Sequence, residues 1–296
     1  MELIVPVAFI IFNRLDVTKQ VFSSIQDAKP KKLYIISDAA RPDVPGEAEK
    51  VEETRRYVEE NINWKCEIHK NYAQYNIGCK YRVASGISWV LQQEENVIIL
   101  EDDCLPMPSF FEFCQVMLDK YKDDKRILMI SGSNHVKDYN VEKDYIFSYF
   151  PSIWGWATWR RAWKKYDIDI EKWPQVKKEG CFKNKLSIYA RFFERRNFEK
   201  AYNHQIDTWD YQWEFARLYN DGLGIVPKVN LINNLGFGRM DATHTKGTTL
   251  IDFSCGNLTF PLNMQDEVTR DVKYDKLYQK DKYGIKRVIS YLRNKI

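Results

Sequence analysis

No CxxC pair occurs among the six cysteines (Cys66, Cys79, Cys104, Cys114, Cys181 and Cys255), and their spacing builds no compact framework. In a chain of 296 residues without an export signal they read as free thiols in a reducing cytoplasm. The opening run MELIVPVAFIIFNR lacks a basic n-region and is too short to span a bilayer, and no other apolar stretch reaches membrane length. The expected location is therefore the cytoplasm. No GxGxxG follows the first apolar run, which removes the ordinary dinucleotide fingerprint. No Walker loop, HExxH, GxSxG or internal repeat occurs either. Charge of one sign is scarce as well: the net charge of +4 is too mild to argue for nucleic acid.

What is present is an ordinary globular composition, 44% apolar and 29% charged, with a high aromatic content of 15%. The order of elements is informative. LIVPVAFIIF reads as a buried strand, and Asp16 offers an N-cap for a helix carrying Val17, Val21 and Ile25. KLYIISD is a second strand, closed by the turn-rich AARPDVPG, and a charged helix follows over about 47–61. WKCEIHK, the helix GCKYRVASGISWVLQQ, the strand VIIL, a helix from Pro108 and the strand RILMISG come next. Strands alternating with helices at this interval predict an α/β fold with a mostly parallel sheet. After residue 145 the pattern turns aromatic and charged, with helical stretches between loops, and no clean linker separates it. This predicts a second lobe fused to the same sheet. The expected division is a main domain over 1–262, with halves 1–105 and 106–262, and a basic helical tail over 263–296. The end of that tail, IKRVISYLRNKI, spaces Ile285, Ile289 and Leu292 as a basic amphipathic helix for a membrane surface or a partner; a solvated helix packed on the core is the other reading.

The strand VIIL runs straight into Glu101, Asp102 and Asp103. Adjacent carboxylates repel, so the triplet either ends in water or serves a ligand at the carboxyl end of a parallel strand. The surrounding motifs favour the ligand. FNR after the first strand, ISD ending the second, KYRVASG, EDD with PSFFEF after it, GWATWRRAW, WDYQW and GFGRMDATHT occur in that order between about residues 4 and 245. Together they resemble the N-acetylglucosaminyltransferase I family and related bacterial polysaccharide glycosyltransferases, which have the GT-A fold.

That resemblance implies a metal-dependent, inverting hexosyltransferase. It would move a sugar from a nucleotide-sugar donor, expected to be UDP-linked and UDP-GlcNAc among the options, to a glycan acceptor. Capsule or O-antigen synthesis would be the setting, with an acceptor that can be lipid-linked at the inner leaflet. A sugar diphosphate gathers negative charge as it leaves, and carboxylate oxygens suit the Mn²⁺ or Mg²⁺ that would neutralise it. By resemblance Asp103 is the metal ligand and Asp102 faces the ribose. Strand alternation turns Glu101 the same way as Asp103 and Asp102 the other way. By resemblance Arg14 lies against the uridine or its phosphate, Asp38 accepts from the base and Arg82 reaches a phosphate or the acids. Lys80 stands where the family has histidine, so the base contact there is open. Arg239 and Thr243 fold over the diphosphate, and His244 is a candidate second metal ligand. Trp154 and Trp156 offer faces for acceptor sugars, with core packing as the alternative.

An inverting transferase also needs a base for the acceptor hydroxyl. Asp210 and Asp207, in IDTWDYQWEF, are the candidates; on one helix they would share a face with Glu214. Two other functions fit an acidic α/β chain: a sugar-1-phosphate nucleotidyltransferase, and a carbohydrate-binding protein that keeps the fold without the chemistry. The first normally opens with a glycine-rich basic loop, which FNRLDVTK lacks, and intact EDD and Asp210 count against the second.

Overall fold

A computed structural model of the chain describes residues 2–136, 139–239 and 254–284. In chain order the elements are β1 (Val7–Ile11), α1 (Leu15–Ala28), β2 (Lys32–Ser37), α2 (Glu47–Glu60), β3 (Glu67–Tyr72), α3 (Gly78–Gln93) and β4 (Asn96–Glu101). There follow β5 (Cys104–Pro106), α4 (Ser109–Lys120), β6 (Ile127–Ser131), β7 (Tyr145–Ser148), β8 (Trp156–Trp159) and α5 (Arg160–Trp163). The remainder are α6 (Trp173–Lys178), α7 (Ile188–Tyr202), α8 (Asp210–Tyr219), β9 (Leu223–Pro227), β10 (Ile232–Asn234) and α9 (Val272–Tyr283).

One eight-stranded sheet runs in the order β3-β2-β1-β4-β8-β6-β9-β7, and β5 pairs with β10 in a small second sheet. The strands of the first half are parallel, with Ile11 beside Ser37 and Ile10 beside Glu101. Every residue of β1 is buried, as are Val97–Leu100, so these strands carry continuous apolar runs rather than an alternation. Helices cover them: α1 brings Val17, Val21, Phe22 and Ile25, and α3 brings Val83, Ile87, Val90 and Leu91. Gly86 lets α3 lie close on β2, since a Cβ there would stand 2.7 Å from Ile36 Cγ2. The expected α/β class and the elements up to β6 are found. Two details differ. Arg14, not Asp16, is the N-cap of α1, and Pro108 caps α4 rather than opening it.

The larger difference lies at residues 156–159, expected to be helix or loop. They form β8, inserted antiparallel between β4 and β6. All four residues are buried, so the polar alternation that would signal a half-exposed strand is missing. Through β8 the sheet continues into β6, β9 and β7, so the second lobe does share it. A second apolar cluster gathers α6, α7, α8 and α9 around Trp173, Phe198, Phe215, Tyr274 and Tyr283. The segment expected to be an amphipathic terminal helix, 285–296, lies outside the described residues.

In a sheet ordered 3-2-1-4, the chain reverses direction of growth between β1 and β4. The crevice at the carboxyl ends of two such strands is where open α/β sheets bind their ligands. Arg14 follows β1, Asp38 follows β2 and the Glu101–Asp103 triplet ends β4, so all three arrive at that edge.

Candidate active site

The β4 strand ends at Glu101, and Asp102 and Asp103 lie in the turn beyond it. Strand alternation therefore does not govern the triplet, and the expected opposition of Asp102 to Asp103 is corrected: Arg14 reaches both. Its Nη2 pairs with Asp102 Oδ1 and lies 3.0 Å from Asp103 Oδ2. Burial disfavours the Arg14 charge, but the two aspartates more than offset this and hold it firmly protonated. Glu101 is partly buried among like charges. Desolvation first, then Asp103 and Asp102, push its carboxyl up to about 8 against the pull of Arg14. Asp102, almost wholly buried, is held above the ordinary carboxylate range by desolvation, with Arg14 pulling the other way.

A turn from the second half closes over this group. Leu235 N–H donates to the Asp103 carbonyl at 2.7 Å, and Asn234 Oδ1 accepts from Gly236 N–H at 2.8 Å. A Cβ on Gly236 would stand 2.5 Å from Asp103 Oδ2, so glycine is what allows the turn to pass there. Phe237 then meets Trp154 edge-on, with ring centroids 5.0 Å apart, and Trp154 in turn lies 4.7 Å from the ring of His135. Arg239 pairs with Asp16 at 2.6 Å. Thr243 and His244 lie outside the described residues.

The start of α3 forms the second part of the site. The first amides of a helix lack partners within it. Here two carboxylates supply them. Asp38 accepts from Ile77 N–H and Gly78 N–H, besides Ala39 N–H at 2.9 Å. Asp207 accepts from Cys79 N–H at 3.0 Å and Lys80 N–H at 2.8 Å. Desolvation raises the Asp38 carboxyl despite these bonds. The buried Lys80 ammonium lies 3.1 Å from His204 Nδ1 and 3.9 Å from Asp169. Arg82 is also buried; it donates to the Asn71 carbonyl at 2.7 Å rather than to the acids of β4, and desolvation lowers its affinity for the proton. An apolar groove of about 660 Å³ begins at Ile77 and runs along α3, bounded by Tyr81, Ala84, Tyr166 and Ile168.

Asp210 opens α8, and Asp207 precedes that helix, so the expected shared helical face with Glu214 does not form. Asp210 Oδ1 accepts from Thr208 Oγ1 and from Tyr211 N–H at 2.9 Å. Among the described residues its Oδ2 accepts no hydrogen bond. Three residues before it, Asp207 is bound to the start of α3, so Asp210 stands close to that helix N-terminus. Trp209 behind it stacks on Trp156 with centroids 5.4 Å apart, in a cluster with Trp163 and Trp213. Trp156 is 1% exposed and offers no face to a sugar; of the two tryptophans proposed for an acceptor, only Trp154 is partly open. Sequence reasoning missed Gly78, Thr208 and Gly236. The GFG run and the TxD spacing were visible signals for the last two.

A hard divalent cation fits these donors. Ions of this kind take one or two carboxylates and complete their shell with substrate phosphates and water. The Asp103 side chain is 17% exposed, and the crowded charge around Glu101 is what a cation relieves. Among the described residues no group of three or more His, Cys, Asp or Glu is arranged to hold a metal.

The candidate site is thus a parallel half-sheet, a carboxylate turn at its switch point and a turn of the second lobe that closes over it. The sequence model of the GNT-I family matches residues 4–205, and the chain belongs to that family. Over 137 residues it is 28% identical to an alpha-1,3-mannosyl-glycoprotein 2-beta-N-acetylglucosaminyltransferase of Arabidopsis thaliana, covering 42% of this chain and 29% of that protein. The chain thus spans less than a third of the length of that curated relative. Among solved structures it is similar to S. aureus TarS 1–349, with a TM-score of 0.44 and 10% identity, over 79% of this chain and 61% of that chain. It is also similar to the mannosyltransferase PcManGT from Pyrobaculum calidifontis, in complex with GDP-Man and Mn²⁺, with a TM-score of 0.35 and 14% identity over 64% and 50% of the two chains. Asp207, Asp210, Arg239, Thr243 and His244 all lie beyond the part that the family matches.

Proposed function

We propose that the protein transfers a sugar from a nucleotide-sugar donor to a hydroxyl of a glycan acceptor, with Mn²⁺ or Mg²⁺ as cofactor. The observation that carries this reading is the gathering of Arg14, Asp102 and Asp103 at the switch point of the sheet, in a chain of the GNT-I family. Asp103, with Glu101 beside it, would hold the cation, which neutralises charge on the leaving diphosphate. Asp102 and Arg14 fix one another and the turn that carries Asp103. Asp210 Oδ2 takes the proton of the acceptor hydroxyl as that oxygen bonds to the anomeric carbon. The bond from that carbon to the diphosphate breaks on the opposite face, and the configuration inverts. Asp207 is set aside as the base, because both of its oxygens accept backbone amides.

A UDP-linked donor rests on the resemblance that makes Asp38 the base-contacting aspartate; its two oxygens also accept the amides of Ala39, Ile77 and Gly78. Lys80, in place of the family's histidine, leaves the base contact to be settled by binding. Arg239 and Thr243 as diphosphate contacts, His244 as a second metal ligand, and the setting in bacterial surface-polysaccharide synthesis rest on the sequence resemblance alone. So does a membrane contact through residues 285–296.

The test is a panel of nucleotide sugars with and without Mn²⁺, scored for nucleotide release, beside calorimetry of UDP binding. The expected result is metal-dependent turnover of a UDP-sugar and metal-strengthened UDP binding, most of which Asp103→Ala removes. Equal UDP affinity with and without metal in the wild type overturns the metal assignment. No turnover of any donor, with UDP still bound, favours the carbohydrate-binding reading.

A further inference from the structure

We infer that Asp207 and Gly78 form a latch that sets the position of Asp210, which makes Asp207 a positioning residue. The inference rests on the reading of Asp210 as the base. The four amides at the start of α3 are shared between the halves of the molecule. Asp38, from the end of β2, takes Ile77 and Gly78; Asp207, from the segment before α8, takes Cys79 and Lys80. One bond of the latch joins residues 127 positions apart. A helix N-terminus attracts negative charge through its free amides and its dipole, so a carboxylate bridging two of them is a strong tie.

Gly78 is built for that approach. Its φ is +80°, a region that L side chains rarely adopt, and a Cβ there would stand 2.8 Å from Asp207 Oδ2. A second contact holds the same segment: the Lys80 ammonium lies 3.1 Å from His204 Nδ1. From the latch to the base is three residues, and the chain between has little freedom. Thr208 is 8% exposed and binds the Asp210 carboxylate, and Trp209 is 2% exposed in the tryptophan cluster. Asp210 is therefore fixed by α3 on one side and by the core on the other. Because α3 also carries the amides that hold Asp38, the donor half sets where the base of the other half stands. A base misplaced by about 1 Å loses on the order of 100-fold in rate.

The experiment is a double-mutant cycle on the full chain. Nucleotide release is measured with UDP-N-acetylglucosamine, or with whichever panel donor the wild type turns over fastest. Asp207→Asn and Gly78→Ala are each expected to lower kcat by about 10-fold or more, with KM for the donor within about twofold in Asp207→Asn and raised in Gly78→Ala, whose amide also holds Asp38. In an Asp210→Asn background neither is expected to cause further loss, because the latch acts only through that carboxylate. Thermal melts and calorimetry of UDP with Mn²⁺ identify variants that fail to fold; should Gly78→Ala be one, Asp207→Asn alone completes the cycle. Near-normal kcat in Asp207→Asn, while Asp210→Asn is inactive, overturns the latch and leaves the base in place. Further loss in the Asp210→Asn background overturns it too, and marks Asp207 as a stability residue only. Near-normal kcat in Asp210→Asn removes the base reading itself, and the latch with it.

Discussion

Gly236→Ala tests whether the turn over Asp103 sets the cation site. The new Cβ would stand 2.5 Å from Asp103 Oδ2 and 3.0 Å from Asn234 Oδ1, where ordinary contact begins near 3.4 Å. Something must move by about 0.9 Å. The Asp103 carbonyl is tied to Leu235 N–H, so backbone and turn move together, and relief falls on the Asp103 carboxylate. Rotating it away breaks the 3.0 Å contact with Arg14. Overpacking of this kind costs about 1–3 kcal/mol in a core, and a turn near the surface sits at the low end. A metal ligand, by contrast, tolerates displacements of only about 0.2 Å. The fold should therefore survive while the cation suffers. The expected result is a melting temperature within a few degrees of wild type and a Mn²⁺ requirement for UDP binding raised by about 10-fold or more. The assay is calorimetric titration of UDP at a series of Mn²⁺ concentrations. Gly238→Ala is the control: its Cβ meets open space, and only its φ of +72° is strained. Wild-type Mn²⁺ dependence in Gly236→Ala would falsify the assignment of Asp103 as the ligand at this turn. Equal damage from Gly238→Ala assigns the effect to loop conformation.

Asp210→Asn keeps the oxygen that Thr208 and Tyr211 bind but cannot take a proton, so kcat should fall by about 10²–10⁴ with donor affinity changed only a few-fold; steady-state kinetics beside UDP calorimetry decide this. Gly86→Ala, whose Cβ would meet Ile36 at 2.7 Å, should destabilise by about 1–3 kcal/mol in urea unfolding, and a neutral result means that α3 can slide on β2. Glu214 carries a carboxyl pushed up to about 7 by burial and then by Glu194, with Lys282 and Arg217 pulling the other way. A raised carboxyl favours the folded state below its unfolded value and loses that support as pH rises through about 7. Glu214→Gln should therefore melt above wild type at pH 8 and match it near pH 4, and a gap independent of pH refutes the cause. Cutting the chain after Gly284 should spare the buried Tyr283, which donates to Glu194, and reduce co-sedimentation with anionic vesicles at low salt; unchanged binding means that residues 285–296 are not a membrane contact.

Much of the first half was legible because its signals are local. Apolar runs, one of them closed by AARPDVPG, locate β1 to β4 within a few residues, and α3 spans the same residues that its spacing predicts. The triplet at the end of β4 was legible as a site, but its orientation was not: strand alternation stops at Glu101, and Arg14 gathers both aspartates from nearly 90 residues away. The same kind of distance hid the role of Asp207. Read along the chain, it looks like the first acid of a helix; in space it caps another helix, and no local pattern encodes that. β8 was missed because it is only four residues long and lacks the aliphatic run that marked β1 and β4, and the basic residues after it suggest a helix.

The insertion of β8 between β4 and β6 has a consequence for synthesis. Asn96–Ile99 are sealed on that edge only when Trp156–Trp159 pair with them, about 60 residues later in the chain. At 5–20 residues per second, the nascent β4 waits on the order of several seconds with one ladder open. An open, apolar strand edge is a template for pairing with other chains. Contacts of such separation also slow folding. A fragment ending at residue 105 would leave that edge exposed for good and should collect in inclusion bodies, so the first half of the sheet reaches its native state only in the company of the second half.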